Sequence, residues 1–275
     1  MKLLSSLRLA WLRIKNPLDY SLRQHLHPGV RPVDHPRISM PDLAGRYKAG
    51  RREQAGQEIQ RLTELYHFDY FSTARTLDEA RENFFYLAMV DRALDESFIA
   101  LPDSLSVADI GPSSWFYVHA LFAALTWYNT WYPRSVHLTG FEVDPYRLYS
   151  DLHTRQDHAL GNMRGLPNVE YIGRGIMPQG EPFDIITLFF PFVFIKDHLE
   201  WGLPPKLFDP ESMLKLVYET LKPGGLILIV NQGGYEHKEQ LKILEKCGFK
   251  PTAAFRMESM LYTYKLDRFV ITVKK

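Results

Sequence analysis

Two acidic residues, each at the end of an apolar run, are the residues of this sequence whose types and spacing could do chemistry. The first, Asp109, stands in VADIGPSSW, just before a turn at Gly111. The second, Glu142, ends the run LTGF and comes 31 residues after Gly111. A carboxylate there can accept hydrogen bonds from an amine or from both hydroxyls of a ribose. For Glu142 taken alone, an ordinary strand-end acid exposed to water is the favoured alternative; taken with Asp109 and Gly111, it favours a binding site.

The turn after Asp109 limits which nucleotide could bind. A loop that holds a pyrophosphate presents backbone N–H groups, usually through the pattern G-x-G-x-x-G. Here Pro112 has no N–H, and Ser113 and Trp115 stand where further glycines would be expected. A ribosyl ligand without phosphates tolerates such a loop better. S-adenosylmethionine is a ligand of this kind, and its amine suits the carboxylate of Asp109.

Alternating elements would bring the two acids together. Apolar runs predict strands at 107–110, 136–143, 169–172, 183–189 and 226–230, and helices at 115–127, 145–159, 210–221 and 237–247. This alternation predicts a doubly wound, mostly parallel sheet, which binds ligands beyond the carboxyl ends of its strands. Two last strands, at 252–257 and 268–274, have no helix between them and predict an antiparallel hairpin at one edge. The sheet then has seven strands.

The first 100 residues predict a helical extension. One helix is expected over 43–66, and a second begins after Thr76, where Glu79 would complete a capping box. Before them, four prolines between residues 28 and 41 predict an extended connector, because each removes an N–H donor. Its histidines, His27 and His35, lack metal-ligand spacing. We therefore divide the chain into an N-terminal helical extension, 1–100, and a sheet domain, 101–275.

The N-terminal segment predicts a short amphipathic helix ended by Pro17. Leu4, Leu7, Trp11 and Ile14 recur on one helical face, among basic residues. Packing on its own domain or on a partner is the favoured use, and contact with a membrane surface is the alternative. Residues 1–60 hold 11 Lys or Arg against 5 Asp or Glu, whereas the whole chain has a formal charge of +1. The overall charge excludes a strong field that would attract a polyanion.

The cysteine content and the apolar runs indicate in which cellular compartment the protein is expected. Cys247 is the single cysteine, so an internal disulfide is excluded. The longest apolar run, 185–195, has 11 residues and includes a proline, whereas a membrane span needs roughly 20. We find no apolar core of signal-peptide length at the N-terminus. These features lead us to expect a cytoplasmic protein.

From about Val107 to Lys275, the chain resembles the class I S-adenosylmethionine-dependent methyltransferases. The resemblance is carried by VADIGPSSW, LTGFEVDPYRL, NVEYIGRGIM, PFDIITLFF, LKPGGLILIV and DRFVITVKK, in this order. Their order and spacing are specific together, whereas DIG or LKPGG alone would be weak. The resemblance implies a Rossmann-like fold and S-adenosylmethionine as the cofactor, and it covers roughly the last 170 residues.

The resemblance also implies roles for individual residues. By position in the motifs, the methionine end would be lined by Asp109, Gly111 and Ser113, and the ribose would be held by Glu142. The adenine would be touched on its face by Val143 and would have Gly175 and Ile176 at its rim. The methyl group would lie near Phe189 and Phe190. The chain departs from the family pattern D-x-G-x-G-x-G at Ser113 and Trp115. The Trp115 side chain must therefore point away from the ligand or cover it. An acid common near the adenine is also missing around Gly175.

The segment after the fourth strand predicts where an acceptor would meet the methyl group. Family members that methylate planar amino groups often have Asn or Asp, then Pro-Pro and an aromatic residue, at this point. Here the segment reads FFPF and lacks the Asn or Asp, which weighs against an adenine-type amine as the methyl acceptor. His198 and Glu200 are the nearest candidates for acid–base catalysis, and a polar surface loop is the alternative. We expect methyl transfer to an unidentified small-molecule acceptor. The oligomeric state stays open.

Three other functions compete with this interpretation. A non-catalytic S-adenosylmethionine-binding or scaffold protein could keep the fold with altered glycines. A nicotinamide dehydrogenase is less favoured because the loop suits phosphates poorly. A nucleic-acid methyltransferase would need a basic and aromatic platform, and the sequence gives no strong signal for one.

Overall fold

The structure, a computed structural model, describes residues 2–34, 43–69, 74–178 and 182–275. The described residues contain a seven-stranded sheet in the order β3-β2-β1-β4-β5-β7-β6. The strands are β1 (Ser104–Ile110), β2 (Ser135–Phe141), β3 (Val169–Ile172), β4 (Phe183–Phe189), β5 (Leu221–Gln232), β6 (Ala253–Met257) and β7 (Arg268–Lys274). Strands β1 to β5 pair in parallel, and β7 runs antiparallel to both β5 and β6. The predicted mostly parallel sheet with an antiparallel C-terminal pair is confirmed.

Eight α-helices of the described chain surround the sheet. They are α1 (Lys2–His25), α2 (Ala49–Tyr66), α3 (Leu77–Glu96), α4 (Val118–Trp127), α5 (Arg155–Asn162), α6 (Ile195–Glu200), α7 (Pro210–Glu219) and α8 (Gly233–Lys246). Thr76 caps α3 by accepting from the Glu79 N–H, as predicted. The Glu79 carboxylate, however, accepts from the Arg75 N–H instead of closing a capping box.

The prediction that Pro17 ends the first helix is wrong. Helix α1 continues through Pro17 to His25. Pro17 lacks one N–H donor, but contacts on either side hold the helix against the sheet domain. The Asn16 side-chain amide donates to the carbonyl oxygens of Leu199 and Leu203, at 2.8 and 3.0 Å. Tyr20 donates to the carbonyl of Val143, at 2.8 Å.

The helix predicted over 145–159 is much shorter in the structure. It begins at Arg155, because Thr154 and Asp157 form a reciprocal capping box there. Residues 145–154 form turns instead, and a bridge joins Leu148 to Thr154. This irregular segment lies directly after β2 and therefore beside Glu142.

Two apolar clusters cover the faces of the sheet. One joins residues of α2, α3 and α4 to inward residues of β1 and β2, for example Leu62 and Phe84 with Val107 and Leu138. The other packs α7 and α8 against residues such as Ile227. The helical extension therefore shares a core with the sheet, and the division at residue 100 stays a prediction. Within the described residues, no helix is both long and apolar enough to cross a membrane. His35 lies outside the described residues.

Candidate functional site

The carboxyl ends of β1 and β2 lie side by side, as the sequence predicts. Asp109 is paired in register with Gly140 of β2 on one side and with Thr187 of β4 on the other. Beyond the strands, the Gly111 N–H donates to the Phe141 carbonyl, at 2.8 Å. Glu142 follows directly after Phe141, so both acids belong to neighbouring strand ends.

Asp109 is bound entirely by the protein's own donors. Its carboxylate is 0% exposed. Oδ2 accepts from the Trp115 indole N–H at 2.7 Å and from the Tyr117 hydroxyl at 2.8 Å. Oδ1 accepts from the Thr187 hydroxyl at 2.7 Å. Burial raises the pKa of Asp109 to about 6, although these three donors act in the opposite direction.

Trp115 lies under the loop, against the sheet. Its side chain is fully buried. The far edge of the indole lies where Gly140 has no side chain: a Cβ on Gly140 would stand 2.9 Å from Cη2 of Trp115. A glycine in β2 therefore provides the space that the bulky residue needs. The indole is directed into the core beside Asp109 and away from solvent.

Glu142 is also almost completely buried and has three partners. It is 4% exposed. Oε2 accepts from the Ser113 N–H at 3.0 Å, and Oε1 accepts from the Asp144 N–H at 2.8 Å. The guanidinium of Arg155, itself buried, lies 3.4 Å from Oε1. Glu142 thus joins the loop after β1 to the turns after β2.

Helix α1 closes the other side of this acid cluster. Arg23 donates two hydrogen bonds to the carboxylate of Asp144, at 3.0 and 2.9 Å. Arg155 also lies 4.0 Å from Asp144. Arg147 lies at the same distance from Asp144, so three cations balance the two neighbouring carboxylates, Glu142 and Asp144, which would otherwise repel each other in a buried place.

Left-handed backbone occurs at the ends of β1 and β4, as it does at several turns elsewhere in the described chain. Gly111, Ser113 and Trp115 have φ values of +74°, +56° and +55°, and Phe190 has +59°. Non-glycine residues rarely adopt this left-handed region, which costs about 1–2 kcal/mol for each. The loop therefore has left-handed backbone at the three alternate positions where the resembled family has glycine, although two of them hold other residues.

An accessible rim surrounds the buried acids. Gly111 is exposed, with open space where a side chain would be. Ser113, Val143, Gly175, Ile176 and Phe190 are half-buried. Val143 and Gly175 are neighbours, since a Cβ on Gly175 would lie 3.4 Å from Cγ1 of Val143. Phe189 is buried, and its ring lies 5.0 Å from that of Tyr117.

The two candidate acid–base residues lie on α6 and point apart. His198 is buried, with Nε2 2.8 Å from the Pro204 carbonyl, and burial lowers its pKa. Glu200 lies 3.7 Å from Arg8 of α1. Residues two positions apart on a helix lie about 200° from each other, so they do not form a pair. Their catalytic roles stay predictions.

Sequence reasoning missed several residues of this cluster. Thr187 had a usable signal, because a polar residue interrupts the apolar strand DIITLFF at a buried position. Tyr117 and Arg155 had no such signal. Their partners become neighbours only when the loop after β1 and the turns after β2 fold onto the sheet.

Comparisons with known proteins give a fold but no close relative. No known protein family matches the sequence, and no curated protein matches it. Among solved structures, it is similar to a Listeria monocytogenes protein assigned to the class I S-adenosylmethionine-dependent methyltransferases, with a TM-score of 0.50, 12% identity, and coverage of 81% of this chain and 68% of that chain. A SAM-dependent methyltransferase from Aquifex aeolicus has a TM-score of 0.46 and 15% identity over 80% of this chain and 97% of that chain. At such identity the Listeria structure shows a shared fold alone.

Proposed function

We propose, from the class I S-adenosylmethionine-dependent methyltransferase fold that this chain has, that the protein binds S-adenosylmethionine and methylates a small-molecule acceptor. One observation carries the proposal: the left-handed backbone at Gly111, Ser113 and Trp115. Ser113 and Trp115 have side chains, so the left-handed conformation costs free energy at both residues. Such strain is concentrated at functional sites, where the surrounding structure maintains it.

The rim offers suitable surfaces for an adenosine. Val143, Gly175 and Ile176 are half-buried and largely apolar, as a purine face requires. Glu142 accepts two backbone N–H groups and one N–H of Arg155, whereas a carboxylate has about four lone-pair sites. Capacity for a ribose hydroxyl therefore remains. The exposed Gly111 lets a ligand approach the backbone closely.

Asp109 serves as a positioning residue in this proposal. Because its carboxylate is 0% exposed, it does not face a ligand. It holds Trp115 and Tyr117, and through them the loop that begins at Gly111. This role differs from the direct contact with the methionine end that the resemblance implies.

The chemistry requires alignment more than proton transfer. S-adenosylmethionine supplies a methyl group on a positively charged sulfur, which leaves readily. The protein's part is to align the acceptor and exclude water. The rings of Phe189 and Tyr117 form an apolar wall beside the strand ends. A base is needed only for acceptors that must lose a proton, and His198 and Glu200 stay candidates for that step.

A specific observation favours a second candidate, a non-catalytic protein that kept the fold. Both acids of the strand ends are buried and already bound by protein donors. Such a network could have replaced the ligand and serve only to hold the loop, the turns and α1 together. This candidate predicts a stable protein without turnover.

Measuring the binding of S-adenosylmethionine tests whether the protein has kept a cofactor site. Calorimetric titration should show that S-adenosylmethionine and S-adenosylhomocysteine bind and that NAD does not. Glu142→Gln should weaken both sulfur ligands by about tenfold, the effect of one lost charge-assisted hydrogen bond. Glu170→Gln, at an exposed acid on β3, is the matched control and should bind like the wild type. Unchanged affinity in Glu142→Gln, with an intact circular dichroism spectrum, would remove the ribose role of Glu142.

Turnover is a separate measurement. Release of S-adenosylhomocysteine over a broad panel of small-molecule acceptors should identify methyl transfer. Cofactor binding without turnover on any acceptor would favour the non-catalytic candidate. If neither sulfur ligand binds to the wild type, the methyltransferase proposal fails.

A further inference from the structure

Helix α1 presents a long row of large apolar side chains to solvent. Leu7, Trp11, Ile14, Leu18 and Leu22 are 60%, 60%, 65%, 64% and 56% exposed. We call these five residues the apolar stripe of α1. Spacings of three and four place them on one face of the helix. A contiguous exposed apolar surface of this kind marks an interaction site more often than it is a neutral feature.

The stripe lies on the face of α1 that points away from the protein. The opposite face is held by Asn16, Tyr20 and Arg23, which bind the α6 region and the residues after β2. Leu18 comes two residues after Asn16, about 200° around the helix. Turning the stripe inward would break these hydrogen bonds and the buried ion pair with Asp144. The stripe is therefore a stable outer surface.

The charge of α1 indicates which partner fits. Apart from Arg23, which binds Asp144 on the inner face, residues 2–22 contain Lys2, Arg8, Arg13 and Lys15 against the single acid Asp19, a net charge of +3. Residues 2–18 contain no acid. A second copy of the chain would bring two helices of like charge together. A surface of anionic lipid headgroups would supply the opposite charge and an apolar layer for the stripe.

We propose that α1 binds to the surface of anionic membranes, with the apolar stripe inserted among the lipids and the exposed Arg8 and Lys15, which flank the stripe, near the headgroups. Trp11 favours this depth, because its amphipathic ring suits the boundary between headgroups and acyl chains. The helix lies in the plane of the membrane and does not cross it. Since α1 carries the contacts to Val143 and Asp144, the rim of the strand ends would lie close to the lipid surface. The proposal itself does not depend on methyl transfer.

Flotation of the full-length protein with vesicles tests this proposal. The protein should float with phosphatidylcholine vesicles that contain about 30% phosphatidylglycerol, and binding to phosphatidylcholine alone should be at least tenfold weaker. Raising the salt to about 0.5 M should reduce binding severalfold, because screening weakens the attraction. The double variant Trp11→Ser and Leu18→Ser should lower the partition coefficient by at least tenfold.

A matched control uses exposed aromatic residues outside α1. Trp131 and Phe98 are 95% and 88% exposed, so Trp131→Ser with Phe98→Ser removes similar apolar area. This variant should float like the wild type. The proposal is overturned if the wild type fails to float with anionic vesicles, or if the stripe variant floats equally well. A concentration-dependent dimer in light scattering that the stripe variant abolishes, without vesicle binding, would assign the stripe to a second copy instead.

Discussion

Replacing Asp109 by Asn should remove a strong pH dependence of stability. Burial raises the pKa of this carboxyl from 3.8 to about 6 in the folded protein. An acid with a raised folded pKa holds its proton more tightly when folded. Its contribution to stability is therefore fully present below about pH 3.8 and is lost as the pH rises through about 6. At about 1.36 kcal/mol per pKa unit, the difference corresponds to roughly 3 kcal/mol.

Asparagine fits the same hydrogen-bonding positions. Its oxygen can accept from Trp115 and Tyr117, as Oδ2 of Asp109 does. Its amide then donates to the Thr187 hydroxyl, which can turn its own proton toward the Ala108 carbonyl, at 3.4 Å. The variant should therefore fold, and its buried amide carries no charge at any pH. The comparison isolates the ionisation of one group.

Urea unfolding in steps from about pH 4 to pH 8 measures the effect. The free energy of unfolding of Asp109→Asn, relative to wild type, should rise by roughly 2.5 kcal/mol over this range, because the unfolded carboxyl is already partly ionised at pH 4. Asp103→Asn, at an exposed acid just before β1, is the control and should follow the wild type at every pH. If the difference in free energy of unfolding between Asp109→Asn and wild type stays constant within about 0.5 kcal/mol from pH 4 to pH 8, the inference that Asp109 has a raised pKa is refuted.

Two further substitutions test the packing of the site. Gly140→Ala should lower the free energy of unfolding by about 1–3 kcal/mol, because its Cβ would meet the indole of Trp115 at 2.9 Å. Gly50→Ala in α2, with nothing within 4 Å, should cause no loss in the same urea titration, and equal losses would contradict the contact. Thr154→Ala should cost about 1 kcal/mol, because the hydroxyl caps α5 by accepting from the Asp157 N–H, whereas Thr154→Ser should keep most of the stability. A serine variant as unstable as the alanine variant would show that the cap is not the cause.

Sequence patterns predicted the strands of this fold better than its helices. Strands β3, β4 and β7 have the predicted bounds, because polar or turn residues delimit their apolar runs. Helix α5 is shorter than predicted, since residues 145–154 carry helix-compatible residues but fold as turns against β2. Residues 115–117 also lie outside α4, and β5 begins at Leu221, five residues before the predicted strand at 226–230. In each case contacts distant in sequence outweigh local preference.

The position of the site could be predicted, but its internal bonding could not. Parallel strands must place Asp109 and Glu142 at neighbouring ends, so two sequence positions sufficed for that inference. The direction of Trp115 depends on left-handed backbone at a residue that normally avoids it. It also depends on the absence of a side chain at Gly140, 25 residues away. Neither condition is visible in a local pattern.

The position of β7 between β5 and β6 has a consequence for synthesis on the ribosome. The order of hydrogen bonding along this edge, β5-β7-β6, differs from the order of translation. When β6 emerges, its partner has not yet been made, and the long edge of β5 is still unpaired. Both edges are open to other chains until Arg268–Lys274 is translated and inserts between them. A stalled or shortened polypeptide lacking these residues would therefore be an aggregation hazard, even with its other strands already in place.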